Sequence, residues 1–310
     1  MTSCYSAWNP SVEDRKGSAS GGVATLLARL VLSQGGVYFG ARWNPSLRRA
    51  VISYTEDTPE PFRGSLYVQA DFPRETWQAL EAYLEAGRKV LFVGIPCQIA
   101  SLEALRSRFP GQLICVDLIC HGTCAAEELS AELDYLTGGS GGEVNVSFRD
   151  GPLFRMAVWR EGKRVYCRKA AQSAYLRGYL EGVTLRDACY HCRFARLERT
   201  GDITLGDFMG VEPRNASFAW PHTLEADALL RECGAILKEH PLEDRLAYRP
   251  GILEPSSSPK EREAFLRARA SQPFPKAVRR ALGFRMWTEP FRQAWKWIHH
   301  QAHLVKRALS

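Results

Sequence analysis

The chain has 310 residues, 45% hydrophobic and 24% charged, enough to bury a core without disulfide staples. Residues 259–310 carry 12 Lys/Arg against 3 Asp/Glu, a net of +9, so the first 258 residues sum to −2 of the chain's +7. A near-neutral body argues against a phosphate-tracking nucleic-acid groove, and no apolar run approaches the roughly 20 residues of a membrane span.

The N-terminus, MTSCYSAWNP, has no basic segment followed by an apolar core, so no secretory signal and a cytoplasmic location are expected. Ser18-Ala-Ser-Gly-Gly22 reads as a turn opening a helix, with Val23, Leu26, Leu27, Leu30 and Val31 at helical spacing and Gln34-Gly-Gly36 ending it. A strand is predicted over 37–43, with a hairpin partner over 50–54. A helix over 76–86 precedes an almost wholly apolar run at 89–93, the pattern of a strand buried on both faces. A helix over 98–109, a second buried strand over 113–119 and a helix over 127–136 follow, ended by a glycine-rich stretch. Strand, helix, strand at these lengths is a βαβ unit with a parallel pair.

Residues 144–148, 155–159 and 164–167 read as a β-meander. A short helix over 174–180 and a strand over 203–205 come next. Beyond residue 245, Pro250, Pro255, Pro259, Pro273 and Pro275 predict a loop-rich connection to a basic, aromatic tail. The expected fold is α/β: a mixed sheet with a parallel βαβ core, an inserted β-meander and a helical C-terminal extension. Residues 1–245 form the expected body and 246–310 the extension.

Nine cysteines are many for a chain expected in a reducing compartment, where disulfides are rare, so some thiols should bind metal or do redox work. Cys115 and Cys233 sit among apolar residues and read as core. Cys189-Tyr-His-Cys192 can turn two sulfurs toward one metal. Cys97 and Cys120 each lie just past the end of a predicted buried strand, and parallel strands would deliver both to one sheet edge, where α/β folds bind ligands. The four thiols suit an iron–sulfur cluster; on residues alone a zinc site or unligated thiols stay open. Cys124, four residues beyond Cys120, is a rival ligand.

Ser18, Ser20, Gly21 and Gly22 offer hydroxyls and amides at a helix N-terminus to an anionic cofactor group, or form a plain cap with flexible glycines. Arg63, Gly64, Ser65, Tyr67 and Gln69 gather polar and aromatic groups that could line a pocket or simply form a surface loop. Asp207, in a glycine-punctuated loop after a strand, could meet a ligand or cap the loop. His121, next to Cys120, is a candidate proton carrier, or a residue that orders its loop.

Seven collinear segments carry a resemblance: Ser18-Ala-Ser-Gly-Gly22, Arg63-Gly-Ser-Leu-Tyr-Val-Gln69, Gly94-Ile-Pro-Cys-Gln-Ile-Ala100, Cys120-His-Gly122, Phe148-Arg-Asp150, Cys189-Tyr-His-Cys-Arg-Phe194 and Asp202-Ile-Thr-Leu-Gly-Asp-Phe208. Their order resembles the coenzyme F420 hydrogenase/dehydrogenase beta subunit family from about residue 4 to 211, more weakly to about 282. The resemblance implies an oxidoreductase with FAD and one 4Fe-4S cluster, the cluster held by Cys97, Cys120, Cys189 and Cys192. It makes the Ser-Gly-Gly loop and the Arg63–Gln69 segment flavin contacts.

Longer relatives carry a Cys-rich module before the point where this chain begins, and here only Cys4 stands, so the resemblance implies electrons from a separate ferredoxin or partner redox subunit. Many bacterial relatives lie beside surface-polysaccharide genes, which suggests such a link. Met209 where relatives often have Trp, Cys124 where a proline or small residue is more usual, and a shortened segment after Val211 are departures. A zinc-stabilised glycan-modifying transferase and a non-catalytic electron-transfer subunit are the alternatives. The tail residues Trp287, Phe291, Trp295, Trp297 and Ile298 could lie on anionic lipid as an amphipathic helix or pack on the body.

Overall fold

The computed structural model describes residues 3–139, 141–150, 154–208, 215–246 and 250–283. Its strands are β1 (Ser3–Trp8), β2 (Val37–Asn44), β3 (Arg49–Thr55), β4 (Val90–Gly94), β5 (Leu113–Leu118), β6 (Val144–Ser147), β7 (Arg155–Arg160), β8 (Lys163–Lys169), β9 (Ile203–Asp207), β10 (Ser217–Pro221) and β11 (Ile236–Pro241). Eight of them form one mixed sheet in the order β11-β1-β10-β9-β5-β4-β2-β3, and β6-β7-β8 form a separate antiparallel sheet. The α/β class, the parallel core, the inserted meander and the C-terminal helices are as expected.

The apolar run of β4 explains the layering. Leu91 and Val93 join a core beneath the helices Val23–Ser33 and Leu224–Glu232. Val90 and Phe92 point the other way, into a core with Leu80, Leu84, Ile99 and Leu105. Successive side chains alternate faces, so a central strand covered on both sides must be apolar throughout.

Strands β2, β4, β5 and β9 are mutually parallel neighbours. Because β10 runs antiparallel to both β9 and β1, β1 points the same way as this parallel set. The carboxyl ends of β1, β4, β5 and β9 therefore open on one edge of the sheet. The helix Val23–Ser33 begins at that edge, since it runs back across the sheet to feed β2.

Three expectations change in detail. The helix expected over 98–109 is two, Pro96–Ser101 and Glu103–Arg108, broken at the fully buried Leu102, whose N–H bonds to the Ile99 carbonyl three residues back. Its start moves earlier because Pro96 sits in the first turn, where a missing N–H costs nothing. The stretch beyond residue 245 contains the helices Glu261–Arg269 and Phe274–Leu282, the second led by Pro273 and Pro275 at its start. Phe265, Phe274, Ala277 and Val278 of these helices share a core with Leu129, Leu133 and Tyr175. The loop preceding Val23–Ser33 is capped by Gly22 in a left-handed conformation, not by a serine.

No helix among the described residues is long and apolar enough to cross a membrane. Met209 and the tail residues Trp287, Phe291, Trp295, Trp297 and Ile298 lie outside the described residues.

Candidate functional site

The common sheet edge carries Cys97, at the start of the helix after β4, and Cys120, just past β5. Cys189 comes from the short helix Asp187–Tyr190, and Cys192 follows it. All four are free thiols. Burial raises the Cys97 pKa, and the Cys192 and Cys189 sulfurs raise it further. Burial pushes Cys120 up to about 12; the Gly122 amide opposes this, and Cys189, Cys97 and Cys192 add to it. Cys120 therefore feels the other three sulfurs. Among the described residues no three His, Cys, Asp or Glu side chains close tightly enough to hold a single metal ion.

Backbone amides point at these sulfurs. Gly122 donates to Cys120 Sγ at 3.3 Å, and Thr123 donates to Cys189 Sγ at 3.5 Å. Gly122 has φ +124, and a Cβ there would stand 2.8 Å from Leu185 Cδ1 and 3.2 Å from the Cys189 Cβ. The glycine after Cys120-His121 thus lets two cysteine loops approach. Cys124 is placed differently: its thiol is fully buried, 3.1 Å from the Thr184 hydroxyl. Cys115 and Cys233 are buried in the core.

Beside the thiols lies a cavity of about 340 Å³, within the roughly 300–1,000 Å³ of small-molecule and cofactor sites. Its wall includes Ser18, Ser20 and Gly22 from the first loop, Arg63, Gly64, Ser65 and Tyr67 from the second, and Asp207 at the end of β9. Cys120 and His121 close the side nearest the thiols. Gly21 lies behind the wall: a Cβ would fall 2.2 Å from the Ala7 carbonyl oxygen, and its N–H is taken by the Ser217 hydroxyl at 2.9 Å. Gln69 is not part of the wall; its N–H donates to the Cys124 carbonyl at 2.9 Å. Val23, Ala24 and Thr25, in the first turn of an 11-residue helix, also line the cavity. Amides in a first turn have no partner within their helix and favour an anion.

His121 is held through Nε2. Nε2 lies 3.2 Å from the Tyr179 carbonyl, which can only accept, so the neutral ring carries its proton on Nε2. Nδ1 then faces the Ser256 hydroxyl oxygen at 3.2 Å, whose proton goes to the His121 carbonyl at 2.6 Å. Burial lowers the His121 pKa, with the Tyr179 carbonyl opposing.

Two networks have no forewarning in the sequence. Arg149 reaches the Tyr67 hydroxyl at 2.6 Å and the Asp207 carboxylate at 2.7 Å, tying the cavity loops together. Asp117, on β5, pairs with Arg199 beyond Cys192. The Phe148-Arg-Asp150 segment marks Arg149, but nothing local to it names those partners.

A protein-family comparison matches residues 87–244, just over half of the chain, to the model that describes the C terminus of the coenzyme F420 hydrogenase/dehydrogenase beta subunit. The chain belongs to the coenzyme F420 hydrogenase/dehydrogenase beta subunit family. Membership makes it an oxidoreductase component and implies iron–sulfur and flavin electron transfer. A comparison with curated proteins finds no match. Among solved structures, a chain of the F420-reducing NiFe hydrogenase complex from Methanosarcina barkeri, determined as a xenon derivative, is similar at a TM-score of 0.54 and 20% identity. The match covers 81% of this chain and 87% of that one. At that identity the likeness speaks for the fold, and that relative works within a multisubunit assembly.

Proposed function

We propose that this family member is an iron–sulfur flavoprotein oxidoreductase, with one 4Fe-4S cluster on Cys97, Cys120, Cys189 and Cys192 and FAD in the adjoining cavity. The observation that carries the proposal is the double position of Cys120, which is part of the cavity wall and whose loop packs at Gly122 and Thr123 against Cys189.

The residues fit the groups. Thiolates are the ligands of such clusters, and N–H groups directed at their sulfurs tune the potential. Four thiols drawn from three separate segments suit a bulky inorganic core, whereas structural zinc usually takes two closely spaced pairs. The first turn of Val23–Ser33, with Ser18 and Ser20, would receive the negatively charged pyrophosphate. When bound, the two groups supply exchange between single electrons and electron pairs.

The chain's own part is to hold and shield. Tyr67 and Tyr179, both in the cavity wall, stack at 4.8 Å, and Tyr67 meets Phe148 edge-on behind them. With its proton on Nε2, His121 can take up a second proton at Nδ1, next to the thiol of Cys120. We infer a cytoplasmic setting, where thiols stay reduced, and an external ferredoxin or partner redox subunit as donor.

Reconstitution under anaerobic conditions with iron, sulfide and FAD tests the proposal. A brown protein that retains flavin after gel filtration, and whose visible absorption bleaches with dithionite, is the expected result. A colourless protein that holds stoichiometric zinc and no flavin would overturn it.

A further inference from the structure

Arg149 spans the cavity wall. Its Nε donates to the Tyr67 hydroxyl at 2.6 Å, Nη1 to the Ala19 carbonyl at 2.5 Å, and Nη2 to Asp207 Oδ2 at 2.7 Å. The guanidinium also lies over the rings of Tyr67 and Phe154, 5.7 and 5.5 Å from their centroids. These partners belong to three separate segments of the wall, and both Arg149 and Asp207 face the cavity. Burial disfavours the Arg149 charge, but Asp207 and Tyr67 outweigh that and keep it a cation.

We propose that the Arg149–Asp207 ion pair sets the reduction potential of the flavin in this cavity, Arg149 raising it and Asp207 lowering it. The inference rests on the flavin assignment above. Reduction by two electrons with uptake of one proton leaves the isoalloxazine with one more negative charge. A guanidinium at the wall favours that reduced form and a carboxylate disfavours it. Arg149 is 29% and Asp207 42% exposed in the open cavity, and a flavin seated there would cover them and strengthen both effects. In the intact pair the two charges oppose each other, so removing either one unmasks the other.

The opposite signs separate this role from a structural one. Arg149 and Asp207 belong to one bridge, and if the bridge served only to hold the loops together, breaking it from either end would disturb the site in the same sense. Lysine at position 149 keeps the charge and loses the forked geometry, so it separates charge from shape.

The test is an anaerobic spectroelectrochemical titration, with electrons supplied by the electrode through mediators, of the FAD-loaded full chain and of R149Q, R149K and D207N. FAD affinity is measured alongside by fluorescence quenching. The expected result is a midpoint potential below wild type in R149Q, above it in D207N, and close to it in R149K. Shifts of the same sign in R149Q and D207N, or no shift in either, would overturn the inference. If R149Q does not retain FAD, D207N decides alone: an upward shift supports the inference, and an unchanged or lowered potential rejects it. A wild-type chain that takes up no FAD would instead reject the flavin assignment and this inference with it.

Discussion

Asp117 Oδ2 and Arg199 Nη2 lie 2.6 Å apart with neither side chain exposed, joining the strand that runs into Cys120 to the loop that follows Cys192. Thr204 donates to Asp117 Oδ1 at 2.5 Å, and His222 Nε2 stands 2.8 Å from the same hydroxyl. Burial pushes the Asp117 carboxyl up, with Arg199 and Thr204 opposing. Breaking a buried pair by removing one charge strands the other, which costs about 3–5 kcal/mol. Asp117→Asn is expected to lose about 3 kcal/mol in anaerobic urea unfolding and to take up less iron. An unfolding midpoint equal to wild type would show that the pair does not brace the cysteine loops.

Gly122→Ala tests the close approach of those loops. The added Cβ meets both a left-handed backbone and the Leu185 and Cys189 side chains, so a loss of about 2 kcal/mol or more is expected, with reduced iron content. Gly87→Ala is the control: its φ is +73, with nothing within 4 Å of the new Cβ. It should cost about 1 kcal/mol, from backbone strain alone, and leave iron uptake intact.

Glu132 gives a pH signature. It is 1% exposed among Leu129, Leu133 and Tyr175, and burial raises its pKa from 4.5 to about 7 while Arg279 opposes. The folded chain therefore binds more protons here than the unfolded one between pH 4.5 and 7, and the group's contribution to stability falls as pH rises through that window. Removing the charge by Glu132→Gln should leave stability near wild type at pH 4.5 and exceed it by about 3 kcal/mol at pH 8. His222, lowered to about 4 by burial and Arg199, has the opposite slope, but it is common to both proteins and cancels in the difference. A pH-independent difference would contradict the assignment.

The parallel core was legible because β4 and β5 are short apolar runs, and a strand covered on both faces leaves no other pattern. From that pairing the approach of Cys97 and Cys120 followed. The strands β1, β10 and β11 were not legible: β11 mixes Lys238 and Glu239 with apolar residues, and it pairs with β1 more than 200 residues away, as the bond between Ser6 and His240 shows. Arg149 was hidden for the same reason. Its partners Ala19, Tyr67 and Asp207 lie 130, 82 and 58 residues away in sequence, and no local pattern encodes such distant pairing. The break at Leu102 escaped because apolar spacing continues through it.

The position of Cys124 against Thr184, away from the cavity wall, makes it a packing residue in this account. The most direct test is iron and sulfide quantification in anaerobically reconstituted wild type and in the single variants C97S, C120S, C189S, C192S and C124S. Wild type and C124S should each hold about four iron and four sulfide per chain, and each of the other four variants far less. Full occupancy in C120S together with loss in C124S, or zinc in place of iron throughout, would contradict it.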